Sequence, residues 1–308
     1  MESVKGIRKP EWQIRLRKSW PVLLILLPGI VYFIMFKYVP MWGLLLSFKN
    51  FKPIYGFVDS AWVGFDNYIS FFTSSDFPRL LVNTLWLAVY NILFYFPLPI
   101  ILALLLHEVT HKHFKKTLQT LIYIPHFISW VVVYGICQQV LGADGLINRL
   151  VLDAGGVGIP FLYSEQCFRG VVLFQTIWKE TGWGTIIFIA ALTSIDHALY
   201  EAATIDGANR FHKLIYVTLP GIQSTITVML LLRIGRFLDT GYEQIYLMLN
   251  AMNRQVGEVF DTYAYEIGIL QGRFSYAIAA SVFKSIIGLI LVLSADRLAK
   301  KMGEEGIL

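Results

Sequence analysis

The chain has 308 residues, 56% of them hydrophobic and 15% charged, with a formal net charge of +5 and a mean hydropathy of +0.58. A soluble domain carries about a quarter charged residues, and a water-soluble fold cannot hide repeated apolar runs of about 20 residues, the length that crosses a bilayer. The basic residues cluster beside those runs, which is the pattern of membrane orientation and excludes a nucleic-acid groove. The lipid bilayer is therefore the first expected partner.

Six spans are expected in chain order, at about 20–38, 82–106, 118–141, 169–192, 221–240 and 275–296, making an all-α integral membrane helical bundle. The first follows a basic tail (Arg8, Lys9, Arg15, Arg17, Lys18), and no small-residue cleavage site follows it. An uncleaved signal anchor is the expectation. Pro97 and Pro99 interrupt the second span and Pro125 the third. Helix-breaking residues are tolerated in spans where neighbours satisfy the freed carbonyls, so these helices should be kinked and packed around something. Cys137 and Cys167 lack any CxxC spacing and read as small apolar packing residues.

Placing the N-terminus in the cytoplasm puts 14 Lys and Arg on inner segments and 7 on outer ones. This bias favours both termini on the inside of the cell membrane. Residues 1–75 then form the tail, first span and an outer loop, residues 76–297 a transmembrane core, and residues 298–308 a cytoplasmic tail.

Between the fourth and fifth spans, residues 196–220 are too polar to span and too patterned for a plain linker. Asp196 is a plausible N-cap, His197 to Asp206 make a short helix of about 15 Å, and Gly207 supplies a left-handed stop. Asn209 can cap a second helix, and Pro220 fits the first turn of the fifth span.

Within this segment, Glu201-Ala202-Ala203, Asp206-Gly207-Ala208 and Leu219-Pro220 fall in order with the spacing EAA-x2-DGA-x10-LP. The chain here resembles the EAA loop of binding-protein-dependent ABC importer permeases. Lys179-Glu180-Thr-Gly-Trp183, Ala190-Ala191-Leu192 and Tyr123-Ile-Pro-His-Phe-Ile-Ser-Trp130 resemble more closely its carbohydrate branch, the maltose-type and oligosaccharide-uptake permeases. The resemblance implies a type I ABC importer permease core and a transporter subunit that is not itself an enzyme. It also implies that residues 196–220 couple the chain to two copies of a cytoplasmic ATP-binding subunit, through Glu201, Ala202, Ala203, Asp206, Gly207, Leu219 and Pro220. Small Ala202 and Ala203 admit close approach of another surface, Glu201 offers a charge, and Gly207 allows the sharp turn. No G-x-x-x-x-G-K-[ST] phosphate loop occurs, so ATP and its Mg belong to the partner and no cofactor is expected on this chain. A second, homologous permease subunit and an extracytoplasmic solute-binding protein are implied in the same way. The expected cargo is a sugar or oligosaccharide, with a polyol or glycerol phosphate as the alternative solute.

His107-Glu108-Val-Thr-His111 matches H-E-x-x-H, whose imidazoles share a helix face and bind zinc in metalloproteases. A membrane zinc protease is thus the rival from another class. Its position at a wet span end beside Lys112, His113, Lys115 and Lys116, and the lack of a clear third ligand downstream, weigh against it. No metal site is expected.

Lys179, Glu180, Arg233, Arg236 and Lys284 lie within or beside spans, where an ionised group at the bilayer centre costs about 2.5–3.5 kcal/mol on insertion scales. Arg233 and Arg236 are expected to share a helix face with Asp239 one turn on. Either they line a polar path or Glu180 pairs with Arg233 or Arg236. Trp178, Trp183, Tyr134 and Tyr242 could offer flat faces to a sugar, although interfacial belts also use such residues.

Overall fold

The computed structural model describes residues 11–301 and Gly303, with side chains from Ser19 onward. The tail charges Lys5, Arg8 and Lys9 and the C-terminal residues 304–308 lie outside the described residues, as do the side chains of Arg15, Arg17 and Lys18. Four stretches are long and apolar enough to cross a membrane, and two bent helix pairs raise the total to as many as six.

Helix α1 (Glu11–Phe33) runs on through a π turn at Ile34–Tyr38 and a 3-10 stretch at Val39–Phe48. The first span therefore reaches Phe48, ten residues past the expected end. Pro40 does not stop it, because it falls in the first turn of the 3-10 stretch, where its missing N–H costs little. None of the apolar window of this span is buried among the described residues.

The second span is α2 (Asp76–Tyr90), a π turn at Asn91–Tyr95, then α3 (Pro97–Glu108). The extra residue in the turn sends the Phe96 amide to the Asn91 carbonyl, 2.9 Å away. Pro97 then opens α3, where a proline fits.

The third span is broken at Pro125, where a kink is expected. The expected 118–141 segment falls on α4 (Lys112–Tyr123), a 3-10 turn at Ile124–Phe127 holding Pro125, two extended residues, and α5 (Trp130–Leu141), and the stretch long and apolar enough to cross is Trp130–Asp153. Helix α6 (Glu165–Thr193) is the fourth span, 29 residues or roughly 44 Å long. The short α7 (His197–Ile205) is bent 68° from it. By length and apolarity, α6 qualifies as a span only together with α7, and the bend between them sets α7 off as a separate arm. The fifth span enters as Arg210–Gly221 and turns 58° into α8 (Gln223–Gly235). Three short helices, α9 (Tyr242–Met248), a single turn at Arg254–Gly257 and α10 (Phe260–Tyr265), precede the final α11 (Phe274–Lys301). The boundary expected at residue 297 falls inside α11.

In lipid, helices gain little from the hydrophobic effect, so close backbone approach and polar contacts hold them together. Gly182 on α6 shows this: a Cβ there would lie 1.9 Å from the Ile122 carbonyl of α4. A Cβ on Gly184 would meet Pro99 at 2.9 Å. Apolar packing clusters at both ends of α6. Phe168 and Val172, near its start, pack with Leu87, Ile245 and Val259, while Phe188 and Leu192, near its end, pack with Ala103 and Ile222. Phe71, Leu80, Phe260 and Tyr276 make a third cluster, which ties the segment before α2 to the bundle.

Candidate functional site: coupling bracket and polar cavity

At the α6 C-terminal end, residues 196–220 form the bracket expected from their caps. Asp196 accepts the Ala198 amide at 2.9 Å, and Asn209 accepts the His212 amide at 2.8 Å. Gly207 has φ +77°, and the Ala208 amide reaches back to the Ala203 carbonyl at 2.9 Å. This is a left-handed helix stop of the Schellman kind. Lys213 Nζ donates to Thr204 Oγ1 at 2.8 Å, and the Tyr200 and Thr218 hydroxyls lie 3.0 Å apart, so both arms of the bracket are cross-braced. Glu201, Ala202, Asp206 and Gly207 are exposed, and Ala203 is half-buried. Neither Glu201 nor Asp206 makes a side-chain hydrogen bond or ion pair among the described residues. Ile205 and Phe211 stand out from the same surface, 87% and 65% exposed. Leu219 is half-buried and Pro220 exposed, in the first turn of the segment leading into α8.

The H-E-x-x-H residues do not share a helix. Helix α3 ends at Glu108 and Val109 is extended, while His111 caps α4 by accepting the Phe114 amide. The single helical face that a zinc protease needs is interrupted between the two imidazoles.

The in-span charges separate into two groups. Lys179 is buried, and its ammonium donates to the His126 carbonyl at the break in the third span and lies 5.3 Å over the Trp130 ring. Glu180 Oε2 lies 2.7 Å from His126 Nδ1, and the carboxylate sits 3.5 Å from Lys179. Trp183 stacks on the His126 ring at 4.4 Å. The expected pairing of Glu180 with Arg233 or Arg236 is therefore replaced: the carboxylate serves the α4–α5 break. Trp178 lines a separate apolar cavity of about 390 Å³ with Cys137 and Phe174.

Arg233 and Arg236 lie at a break of their own. Helix α8 ends at Gly235, Arg236 is in a non-helical turn, and Gly241 at φ +84° precedes α9. The helical face expected to join Arg233, Arg236 and Asp239 does not exist, because the helix stops first. Tertiary structure brings the two arginines together instead, on a cavity of about 280 Å³ walled by Tyr95, Phe96, Phe188 and Leu232. Arg233 donates to Asn91 Oδ1 at 2.7 Å and lies 5.2 Å over the Tyr95 ring. The Asn91 amide is itself oriented by donating to the Leu87 carbonyl at 3.0 Å. The π turn thus turns Asn91 and Tyr95 toward α8, as π turns often do at functional positions. Asp239 lies 3.8 Å from Lys284, which also pairs with Asp261. Tyr242 packs against Tyr246 and Tyr265 at 5.4 and 5.3 Å, and Tyr134 receives the Gln138 amide at 2.5 Å.

Sequence reasoning missed a third polar site, at the opposite end of α6. Glu258, 2% exposed, pairs with Arg79 at 2.8 Å and Arg254 at 3.2 Å. Arg79 also holds Asp76, Arg254 holds Glu266, and Asn83 donates to the Gln255 and Glu258 carbonyls. Burial pushes the Glu258 carboxyl upward, and the two arginines pull it back. The i,i+3 pair Asp76/Arg79 and the i,i+4 pair Arg254/Glu258 were the available signals.

Residues 81–304 match the family described as binding-protein-dependent transport system inner membrane component. Protein LplB of Bacillus subtilis (strain 168) is 50% identical over 304 residues, covering 98% of this chain and 95% of LplB. The polygalacturonan/rhamnogalacturonan transport system permease protein YteP of the same organism is 52% identical over 295 residues, covering 96% of this chain and 92% of YteP. A chain of a bacterial alginate ABC transporter, solved with an alginate pentasaccharide-bound periplasmic protein, superposes with a TM-score of 0.87 at 36% identity, covering 95% of this chain and 98% of that one. With its bundle, its bracket and these relatives, the chain belongs to the family of binding-protein-dependent transport system inner membrane components and is an all-α, multi-pass membrane transport subunit.

Proposed function

We propose that the chain is one permease subunit of an ATP-driven importer for oligosaccharides that carry carboxylates. A separate ATPase, present in two copies with its own ATP and Mg, grips the 196–220 bracket on the cytoplasmic side, where both termini also lie. A second, related permease subunit completes the pathway, and an extracytoplasmic binding protein delivers the cargo.

The observation that carries this reading is the rigid bracket, with Glu201 unpaired among the described residues and exposed beside Ile205 and Phe211. An exposed acid beside two exposed apolar side chains on a braced surface offers a docking partner both charge and apolar area to cover. The cargo is supported by the acidic polymers named for YteP and the alginate transporter and by the two arginines on the polar cavity. The two-to-one Lys and Arg bias supports the orientation.

Reconstitution in proteoliposomes with the cognate ATPase, permease partner and binding protein tests it. Oligogalacturonide should stimulate ATP hydrolysis and accumulate inside. Glu201→Lys and Gly207→Pro should insert normally yet lose accumulation per ATP hydrolysed, and unchanged coupling in both would overturn the role of the bracket.

A further inference from the structure

We infer that Arg236 is the residue that distinguishes charged from neutral cargo, forming a two-point ion pair with a sugar carboxylate, while Arg233 is a fixed wall beside it. This rests on the oligosaccharide-permease reading above.

The two arginines differ in what already holds them. Arg233 is committed to Asn91 at 2.7 Å and to the Tyr95 ring face at 5.2 Å. Arg236, three residues on, is exposed and makes no hydrogen bond or ion pair through its side chain among the described residues. Its nearest acid in sequence, Asp239, lies within ion-pair range of Lys284 instead. Arg236 borders the 280 Å³ cavity on one side of the α8 break and a second space of about 410 Å³, shared with Asp239, Lys284 and Ser285, on the other. One free guanidinium therefore faces both.

A second polar group points the same way. Thr240 is 8% exposed and its hydroxyl has no hydrogen-bond partner among the described residues. It faces a small space of about 10 Å³ shared with Arg233, Arg236 and Asp239, room for about one water. Such a water, or a sugar hydroxyl at its mouth, gives Thr240 the partner that the protein does not provide.

Guanidinium matches carboxylate because its N–H groups form a planar fork that two oxygens can meet in parallel, whereas an ammonium is a point charge. The apolar walls Phe96, Phe188 and Leu232 lower the local dielectric, strengthening that attraction. They also present flat and aliphatic faces to the C–H surface of a pyranose. Neutral sugars can use the walls but not the fork.

The test is direct binding to the purified, detergent-solubilised transporter complex without its binding protein, so that only the membrane subunits select. Fluorescently labelled oligogalacturonide is compared with the same oligomer after chemical reduction of its carboxyls to primary alcohols. Arg236→Gln should weaken the acidic oligomer by about tenfold or more, and Arg236→Lys by an intermediate factor, as for a lost or degraded charge-assisted contact. The reduced oligomer should bind wild type and both variants within about twofold, which also reports an intact fold. Equal binding of the acidic oligomer by wild type and Arg236→Gln, or equal loss of acidic and reduced oligomers, would overturn the assignment. If wild type bound neither oligomer, the oligosaccharide reading itself would fall, and the inference with it.

Discussion

The ammonium of Lys179, on the fourth span, donates to the backbone carbonyl of His126, inside the break of the third. The Pro125 turn and the extended Ile128 and Ser129 end the α4 hydrogen-bond ladder, leaving carbonyls without helical donors. Away from water such a carbonyl must find another partner, and a buried lysine supplies it. An intramembrane charge at this position therefore holds a kink together and is not part of the polar cavity.

Lys179→Met keeps the length and apolar stem but removes the donor. Leaving a buried carbonyl unpaired costs about 1–3 kcal/mol. The purified complex should show a clearly lower thermal midpoint, while its affinity for oligogalacturonide stays as in wild type. Lost affinity at unchanged stability would instead place Lys179 on the path.

Gly182 makes the same kink possible from the packing side. Its missing Cβ is the space occupied by the Ile122 carbonyl, and backbone cannot yield as a side-chain tip can. Gly182→Val should cost about 1–3 kcal/mol or more by overpacking and lower the yield of assembled complex. Gly170, on the same helix with open space around it, is the control: Gly170→Ala should be close to neutral.

What the sequence disclosed divides along a physical line. Local chemistry was legible: Asp196, Gly207 and Asn209 each carry a capping preference that acts within four residues, and the structure uses all three as expected. Span hydropathy was equally local. Long-range partnership was not legible. Nothing in Lys179-Glu180 specifies that both serve His126, 53 and 54 positions away, and nothing in Arg236 reveals that α8 ends one residue before it. The segment between the fifth and sixth spans counts only among the outer segments, because Ile245, Met248 and the adjacent Val259 and Phe260 make no sustained apolar period. They become core only when Phe168, Val172 and Phe71 arrive from elsewhere.

The bracket should be sensitive to backbone substitutions that leave its exposed face untouched. At φ +77°, Gly207→Ala meets a left-handed conformation that costs a non-glycine residue about 1–2 kcal/mol. The expected result is partial uncoupling: ATP hydrolysis stimulated by loaded binding protein persists, but fewer oligosaccharides enter per ATP than in wild type. Gly207→Pro should be worse. Parallel measurement of phosphate release and uptake gives the ratio directly.

The Glu258 network makes a pH-dependent prediction. Arg79→Ala leaves a carboxylate that is 2% exposed with one arginine instead of two. Breaking a buried pair from one side costs about 3–5 kcal/mol. Burial already raises the Glu258 carboxyl, with Arg79 the first of the charges pulling it down, so the variant should hold its proton to higher pH. A carboxyl raised by folding contributes stability that is complete below the ordinary glutamate range and is lost as pH climbs through the raised value. The deficit of Arg79→Ala should therefore be smaller at pH 5 than at pH 8. Adding Glu258→Gln removes the titrating charge, so the double variant should recover stability at pH 8 and lose this part of the pH dependence. Thermal midpoints of the four proteins (wild type, each single variant and the double) at both pH values decide it. An Arg79→Ala deficit that does not change with pH, and that Glu258→Gln does not relieve, would mean that Arg79 acts through Asp76 alone.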